Sequence, residues 1–218
     1  MILNKHYITI ILIFLLMSCE ENNPSQGSSQ ECNLDGIHAT IEATSYTEWK
    51  YLSVTENGLI ELEPMSDEEA LNSNEWDIAM MRNHFRTNSG ESGPGNAGAF
   101  MIDETWSCDS FNELNEVPNN TIFVSDGILT NIYQPWAHDD ADEAYTDAPG
   151  NTILENWGWF DIDADYYFYY THKKFVVKLP SIEGEDSQYI KLWPYQYYGE
   201  LGQSAHTSLI YDFINSPE

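Results

Sequence analysis

Lys174-Phe175-Val176-Val177-Lys178-Leu179 and Gln188-Tyr189-Ile190-Lys191-Leu192-Trp193 are the two runs that decide the fold class. Both are dominated by β-branched and aromatic residues. The polar link from Pro180 to Ser187, with Glu183-Gly184 inside it, is a turn, so the pair reads as a β-hairpin. Downstream, Ser208-Leu209-Ile210-Tyr211-Asp212-Phe213-Ile214 alternates as a closing strand. Upstream, Trp49 to Val54 and Gly58 to Leu62 flank Asn57-Gly58, a strong hairpin signal. Trp76 to Met81 reads as a buried strand, and Ile37 to Ala43 alternates weakly. Thr121 to Val124 and Ile128 to Thr130 read as short strands around Asp126-Gly127. Met65 to Leu71 is the best helix candidate, a turn or two opened by Ser66 with Glu69 three residues on. Short strands at close spacing predict an all-β fold, a β-sandwich or open barrel with few short helices. One domain is expected from residue 31 to residue 218.

The start of the chain reads as a targeting segment. Lys5 precedes the apolar run Ile8 to Leu16, which is too short for a stable transmembrane helix and fits a signal-peptide core. Leu16-Met17-Ser18-Cys19 matches a bacterial lipobox, so residues 1–18 are expected to be a lipoprotein signal peptide and Cys19 the lipidated N-terminus. The plainer alternative is an ordinary secretory signal. Residues 19–30 are polar and form a flexible tether. Glu20-Glu21 directly after the lipidated cysteine resembles a surface-export signal, which points to an outer-membrane lipoprotein at the cell surface, with a periplasm-facing one as the alternative. Cys32 and Cys108 remain as an even pair in an oxidising compartment, which makes a disulfide between them an expectation.

The chain has 218 residues and a formal net charge of −28, with 8 Lys and Arg against 36 Asp and Glu. No basic footprint for nucleic acid exists, and electrostatic docking on anionic lipid is disfavoured. Gly93-Pro94-Gly95-Asn96-Ala97-Gly98 matches GxGxxG, but Ala99 to Asp103 after it reads as a strand where a dinucleotide site needs a helix. Asp161-Ile162-Asp163-Ala164-Asp165 resembles the start of a calcium loop, but Tyr166 and His172 stand where Gly and Glu are required; a solvated acidic face is the alternative. His138-Asp139-Asp140-Ala141-Asp142-Glu143 is a polar loop whose histidine either sits in solvent or ligates a metal or haem iron. Tyr166 to Tyr170 and Tyr195 to Tyr198 either pack the sheets or stack a planar ligand or a sugar. Neither GxSxG nor HExxH occurs, so an enzyme is not expected. Arg82 and Arg86, four apart, are expected to share one face of a strand and to pair with buried or backbone acceptors beneath the glycine loop.

Several stretches together resemble the HmuY family of haem-binding lipoproteins of Bacteroidetes-type bacteria. They are Ile41 to Ser53; Trp76-Asp77-Ile78-Ala79 with Arg82 and Arg86-Thr87-Asn88-Ser89-Gly90 through Ala99; and Lys174 to Lys178 with Tyr189 to Leu192, closing in Tyr197-Tyr198. The resemblance implies an all-β HmuY fold, haem capture through two axial His or Met side chains, and hand-over to a TonB-dependent outer-membrane receptor. His138 stands in the loop expected to supply the first axial ligand. The second is expected just after Trp157-Gly158-Trp159-Phe160, where Asp161-Ile162-Asp163 stands instead. The substitutes considered are His172 and Tyr170, with Lys173 and Lys174 as the nearest cations for the haem carboxylates. The expected function is haem or related tetrapyrrole binding for iron acquisition. The alternative is an accessory surface lipoprotein that has lost the haem site and binds calcium, a glycan or a protein partner.

Overall fold

The strand at the centre of the fold is β12 (Tyr189–Tyr198), which lies between β13 (Ser204–Ile214) and β11 (Lys174–Lys178). A computed structural model describes residues 33–102, 108–133, 145–161, 166–181, 184 and 186–217. β1 (Ile37–Glu42) and β6 (Gly98–Ile102) complete an antiparallel sheet in the order β1-β13-β12-β11-β6. The hairpin read from sequence is present, with Phe175 opposite Leu192 and Val177 opposite Ile190. The second sheet has the order β3-β2-β4-β5, built from β2 (Lys50–Thr55), β3 (Gly58–Glu61), β4 (Ile78–Met81) and β5 (His84–Thr87).

The inner faces of the two sheets share one core. Leu52, Ile78, Met80 and Phe85 from the four-stranded sheet pack with Ile41, Phe175, Val177, Ile190, Leu192 and Leu209 from the five-stranded one. The fold is therefore all-β, an open sandwich, and its α-helices among the described residues are two. The first, α1 (Asp67–Ala70), starts at the expected capping box: Ser66 accepts from the Glu69 amide while the Glu69 carboxylate accepts from the Ser66 amide. The second, α2 (Cys108–Asn112), is held on the outside of the five-stranded sheet by two buried lysines. Lys174 donates to Ser110 Oγ, and Lys191 donates to the Phe111 carbonyl at 3.0 Å.

Two further hairpins stand apart from the main sheets: β7 (Gly127–Tyr133) with β8 (Tyr145–Gly150), and β9 (Gly158–Asp161) with β10 (Tyr167–Tyr170). A 3-10 turn, Leu154–Trp157, lies between them in sequence. Here the structure corrects the sequence reading. Ile128 to Thr130 belongs to β7 and pairs with β8, while Thr121 to Val124 contributes only a bridge from Val124 to Ala99. The cause is Asp126, whose buried carboxylate accepts from the Thr87 amide at 2.9 Å, the Thr87 hydroxyl at 2.6 Å and the Asn151 side-chain amide at 2.9 Å. Those bonds tie the expected turn to β5 and to the end of β8.

Arg82 and Arg86 do not lie on one strand. Arg82 occupies the β4–β5 turn at φ 56°, and only Arg86 lies in β5. Gly98 begins β6, so the GxGxxG stretch leads into a strand. Gly90 takes φ +53°, and a Cβ there would lie 2.2 Å from the Asp126 carbonyl oxygen, so only glycine lets the loop approach this closely.

Candidate functional site

The two separate hairpins flank the segments in which the axial ligands are expected. The segment joining β7 to β8, residues 134–144, contains His138 and lies outside the described residues; of the segment joining β9 to β10, 162–166, only Tyr166 is described. The strand ends that enter them are described. Tyr133 and Tyr145 face each other across the β7–β8 ladder, ring centroids 5.3 Å apart. The Tyr46 ring meets Tyr133 edge-on at 6.2 Å.

Arg82 connects this tyrosine group to the other hairpin. Its guanidinium carbon lies 4.2 Å from the Tyr46 ring centroid and 5.9 Å from that of Tyr197. Tyr197 in turn packs against Phe160 and Phe168 of the β9–β10 hairpin. Two Arg82 donors are used, one to the Thr44 carbonyl at 3.2 Å and one to Ser204 Oγ at 2.9 Å. Among the described residues no carboxylate pairs with it. In so acidic a chain that is a notable position for a cation, since it keeps its charge available to an anionic group from outside.

Arg86 is different. It is 1% exposed, lies 3.9 Å under the Trp49 ring, and donates to the Pro149 carbonyl, the Tyr51 hydroxyl and Asp67. It joins β5, β2, β8 and α1, so its role is structural.

The substitutes proposed for the second axial ligand fall at the base of the β9–β10 hairpin. Tyr170 accepts a hydrogen bond from the Tyr197 amide at 3.0 Å, and burial pushes its phenol pKa well above the ordinary value. It is therefore a neutral phenol already serving the backbone of β12. His172 follows β10 at φ 56°, beside the Tyr170 ring at 6.2 Å, and partial burial lowers its pKa, which favours a neutral imidazole. Neutral imidazole is the form that ligates iron. It stands at the opposite end of β10 from residues 162–165, close to the Trp157 carbonyl that holds Thr171. Lys173 is part-buried next to it. Lys174 is turned away, buried against α2.

Of the calcium-loop reading, Asp161 ends β9 while Asp163 and Asp165 lie outside the described residues. Among the described residues no group of three acidic, His or Cys side chains is arranged to hold a metal. Cys108 is disulfide-bonded; Cys19 and Cys32, the expected lipidation site and disulfide partner, lie outside the described residues. Two adjoining clefts of about 250 and 270 Å³ share Glu42, Lys50 and Glu61 at the open edges of β1 and β3. They involve neither hairpin, and Lys50 is bridged to Glu61 at 2.8 Å.

The sequence does not distinguish Arg82, beside these tyrosines, from the buried Arg86 four residues on. Nor does it single out Tyr46, Tyr133 and Tyr145 as neighbours in space. The available signal was the placement of Tyr133 and Tyr145 on either side of the polar loop that contains His138.

The fold is an all-β sandwich with two separate hairpins, linked through the contacts of Arg82 with Tyr46 and Tyr197. The profile of the HmuY protein family matches residues 45–211, and the chain belongs to that family. Solved structures agree on the fold. A Bacteroides vulgatus protein assigned as HmuY-like and heme-binding has a TM-score of 0.59 at 20% identity, covering 80% of this chain and 89% of its own. An apo HmuY analog from Tannerella forsythia has a TM-score of 0.56 at 19% identity, covering 84% and 96%. A Bacteroides fragilis protein assigned as a lipoprotein has a TM-score of 0.56 at 18% identity, covering 87% and 100%. No curated protein matches the chain in sequence.

Proposed function

We propose that the chain is a cell-envelope lipoprotein that captures haem, or a related tetrapyrrole, between its two projecting hairpins for iron acquisition, and passes it to an outer-membrane receptor without catalytic turnover. The observation that carries the reading is the position of Arg82. A tetrapyrrole needs flat apolar walls, a donor for its metal and a partner for its carboxylates. Tyr46, Tyr133 and Tyr145 supply aromatic surface beside the segment that contains His138. Arg82 offers a guanidinium with no carboxylate partner among the described residues, set between this group and Tyr197. Membership of the HmuY family supports the same ligand class. In this reading His138 ligates iron and Arg82 receives a carboxylate. His172 would be a second ligand only if the ligand reached the base of the β9–β10 hairpin, and Tyr170 would have to release the Tyr197 amide. The signal sequence, Cys19 lipidation and outer-membrane placement belong to the same proposal and rest on the lipobox.

The test is a hemin titration followed by absorbance, with wild type beside His138→Ala and Arg82→Met. Saturable binding with a Soret shift, abolished by His138→Ala and weakened about tenfold by Arg82→Met, is expected; tenfold corresponds to about 1.4 kcal/mol. Absence of any Soret shift in the wild type overturns the proposal.

A further inference from the structure

β1 and β3 are end strands of their sheets, each paired on one side only. Register fixes which backbone groups lie on the other side. The Ala43 amide donates to the Ala205 carbonyl, in line with the pairing of Ile41 opposite Thr207, so the odd-numbered residues of β1 bond β13. The amides and carbonyls of His38, Thr40 and Glu42 therefore point away from the sheet. The Leu62 amide likewise donates to the Tyr51 carbonyl, so those of Leu59 and Glu61 point away from β2. Among the described residues none of these five backbone groups has a hydrogen-bond partner. His38, Thr40 and Glu42 are exposed.

The two clefts lie along these edges. Ile41 and Leu52, both buried, and half-buried Leu59 line one of them from the core side. Glu42, Glu48 and Glu61, all exposed, line the adjoining one together with Lys50. Lys50 is bridged to Glu61 at 2.8 Å, and among the described residues no cation pairs with Glu42 or Glu48. An apolar floor beneath carboxylates suits a side chain with an aliphatic stem and a cationic head. Free strand edges suit an extended backbone, which takes up their donors and acceptors in register.

We propose that this seam docks an extended segment of a partner protein with lysine or arginine at alternate positions, added as a strand beside β1. Main-chain bonds to Thr40 and Glu42 would hold it, and alternate side chains would fall over the clefts. Their stems would lie on Leu52 and Leu59, and their charges beside Glu42 and Glu48. Charge also decides against the other occupant of an open edge, a second copy of this chain. At a net −28, with Glu42 and Glu61 beside the exposed backbone, like chains repel while a cationic strand is drawn in. The seam involves neither hairpin, so this docking is independent of the haem reading.

The experiment titrates the chain with three short blocked peptides: one alternating lysine and valine, one alternating glutamate and valine, and the lysine peptide with alternate backbone amides N-methylated. Binding is followed by calorimetry, and amide exchange locates the contact. The lysine peptide is expected to bind saturably, more weakly as salt is raised, and to slow exchange at Thr40 and Glu42. The glutamate peptide should not bind. N-methylation removes strand donors without touching charge, and should weaken binding about tenfold. Reversing two carboxylates together, Glu42→Lys with Glu48→Lys, should weaken it about tenfold as well. Both positions are exposed, so this variant should melt with the wild type. No binding of the lysine peptide overturns the proposal. So does unchanged binding after N-methylation, which would leave only diffuse charge attraction, or unchanged binding by the reversed variant. A concentration-dependent dimer dissolved by Thr40→Pro would assign the edge to a second copy and overturn it too.

Discussion

Replacing Asp126 with alanine should loosen the β7–β8 hairpin from the sandwich. Its carboxylate is 5% exposed and accepts from three donors: the Thr87 amide, the Thr87 hydroxyl and the Asn151 side chain. Burial raises its pKa, against the lowering effect of those bonds. Removing the acceptor orphans the donors at about 1 to 2 kcal/mol each, so about 3 to 6 kcal/mol in total. Relief of the buried carboxylate's own desolvation offsets part of this, which favours the lower end, about 3 kcal/mol. For a domain of this size that lowers Tm by about 10 °C. The assay is thermal unfolding by circular dichroism, with amide hydrogen exchange to locate the change. Exchange should rise in Gly127 to Tyr133 and in Tyr145 to Gly150 before it rises in β11 to β13. A Tm within about 2 °C of wild type would refute the reasoning, because it would mean water satisfies these donors at no cost.

Other predictions follow from the same contacts. Phe168 is fully buried against Trp157 and Tyr197, so Phe168→Ala should cost about 3 to 5 kcal/mol, read from denaturant unfolding. Ser66→Ala removes the α1 cap and should cost about 1 kcal/mol by the same measurement. Asp77 accepts from the Val54 amide and the Ser53 hydroxyl, yet burial raises its pKa. A raised carboxyl pKa means the folded state binds the proton more tightly, so its contribution to stability grows as pH falls through the folded value and levels off below the unfolded one. The Tm of wild type relative to Asp77→Asn should therefore rise on acidification from pH 7 toward 4. Tyr170→Phe removes only the acceptor of the Tyr197 amide, so it should cost about 1 kcal/mol and leave the hemin spectrum unchanged.

Much of the fold could be read from alternation and turn chemistry. The β11–β12 and β2–β3 hairpins, β4, β13 and the cap of α1 all lie where local pattern and propensity agree. The failures share a cause, which is that distant partners set the local structure. Asp126-Gly127 has turn chemistry, but its carboxylate serves Thr87 and Asn151, so no hairpin forms across it. β8 contains Asp147 and Pro149, which count against a strand, and it persists by pairing with β7. α2 has no apolar periodicity; Phe111 packs on Trp193 and two lysines from other strands hold it. The site was legible in part. Loop position and aromatic content could be seen, whereas the separation of Arg82 from Arg86 depends on a positive φ in a two-residue turn that no pattern announces.

The clasp on α2 also sets a path for force. Asp35 donates through its amide to Asn112, and Asn112 donates to the Asn33 carbonyl, so the first described residues are pinned to this helix. Leu34 is buried with Phe111, Trp193 and Ile210, and Lys191 fastens the helix to β12. Tension applied at residue 33 would thus be shared with the central strand of the larger sheet before it could peel the edge strand β1. The β7–β8 and β9–β10 hairpins, in the middle of the sequence, make none of these contacts and lie off that path.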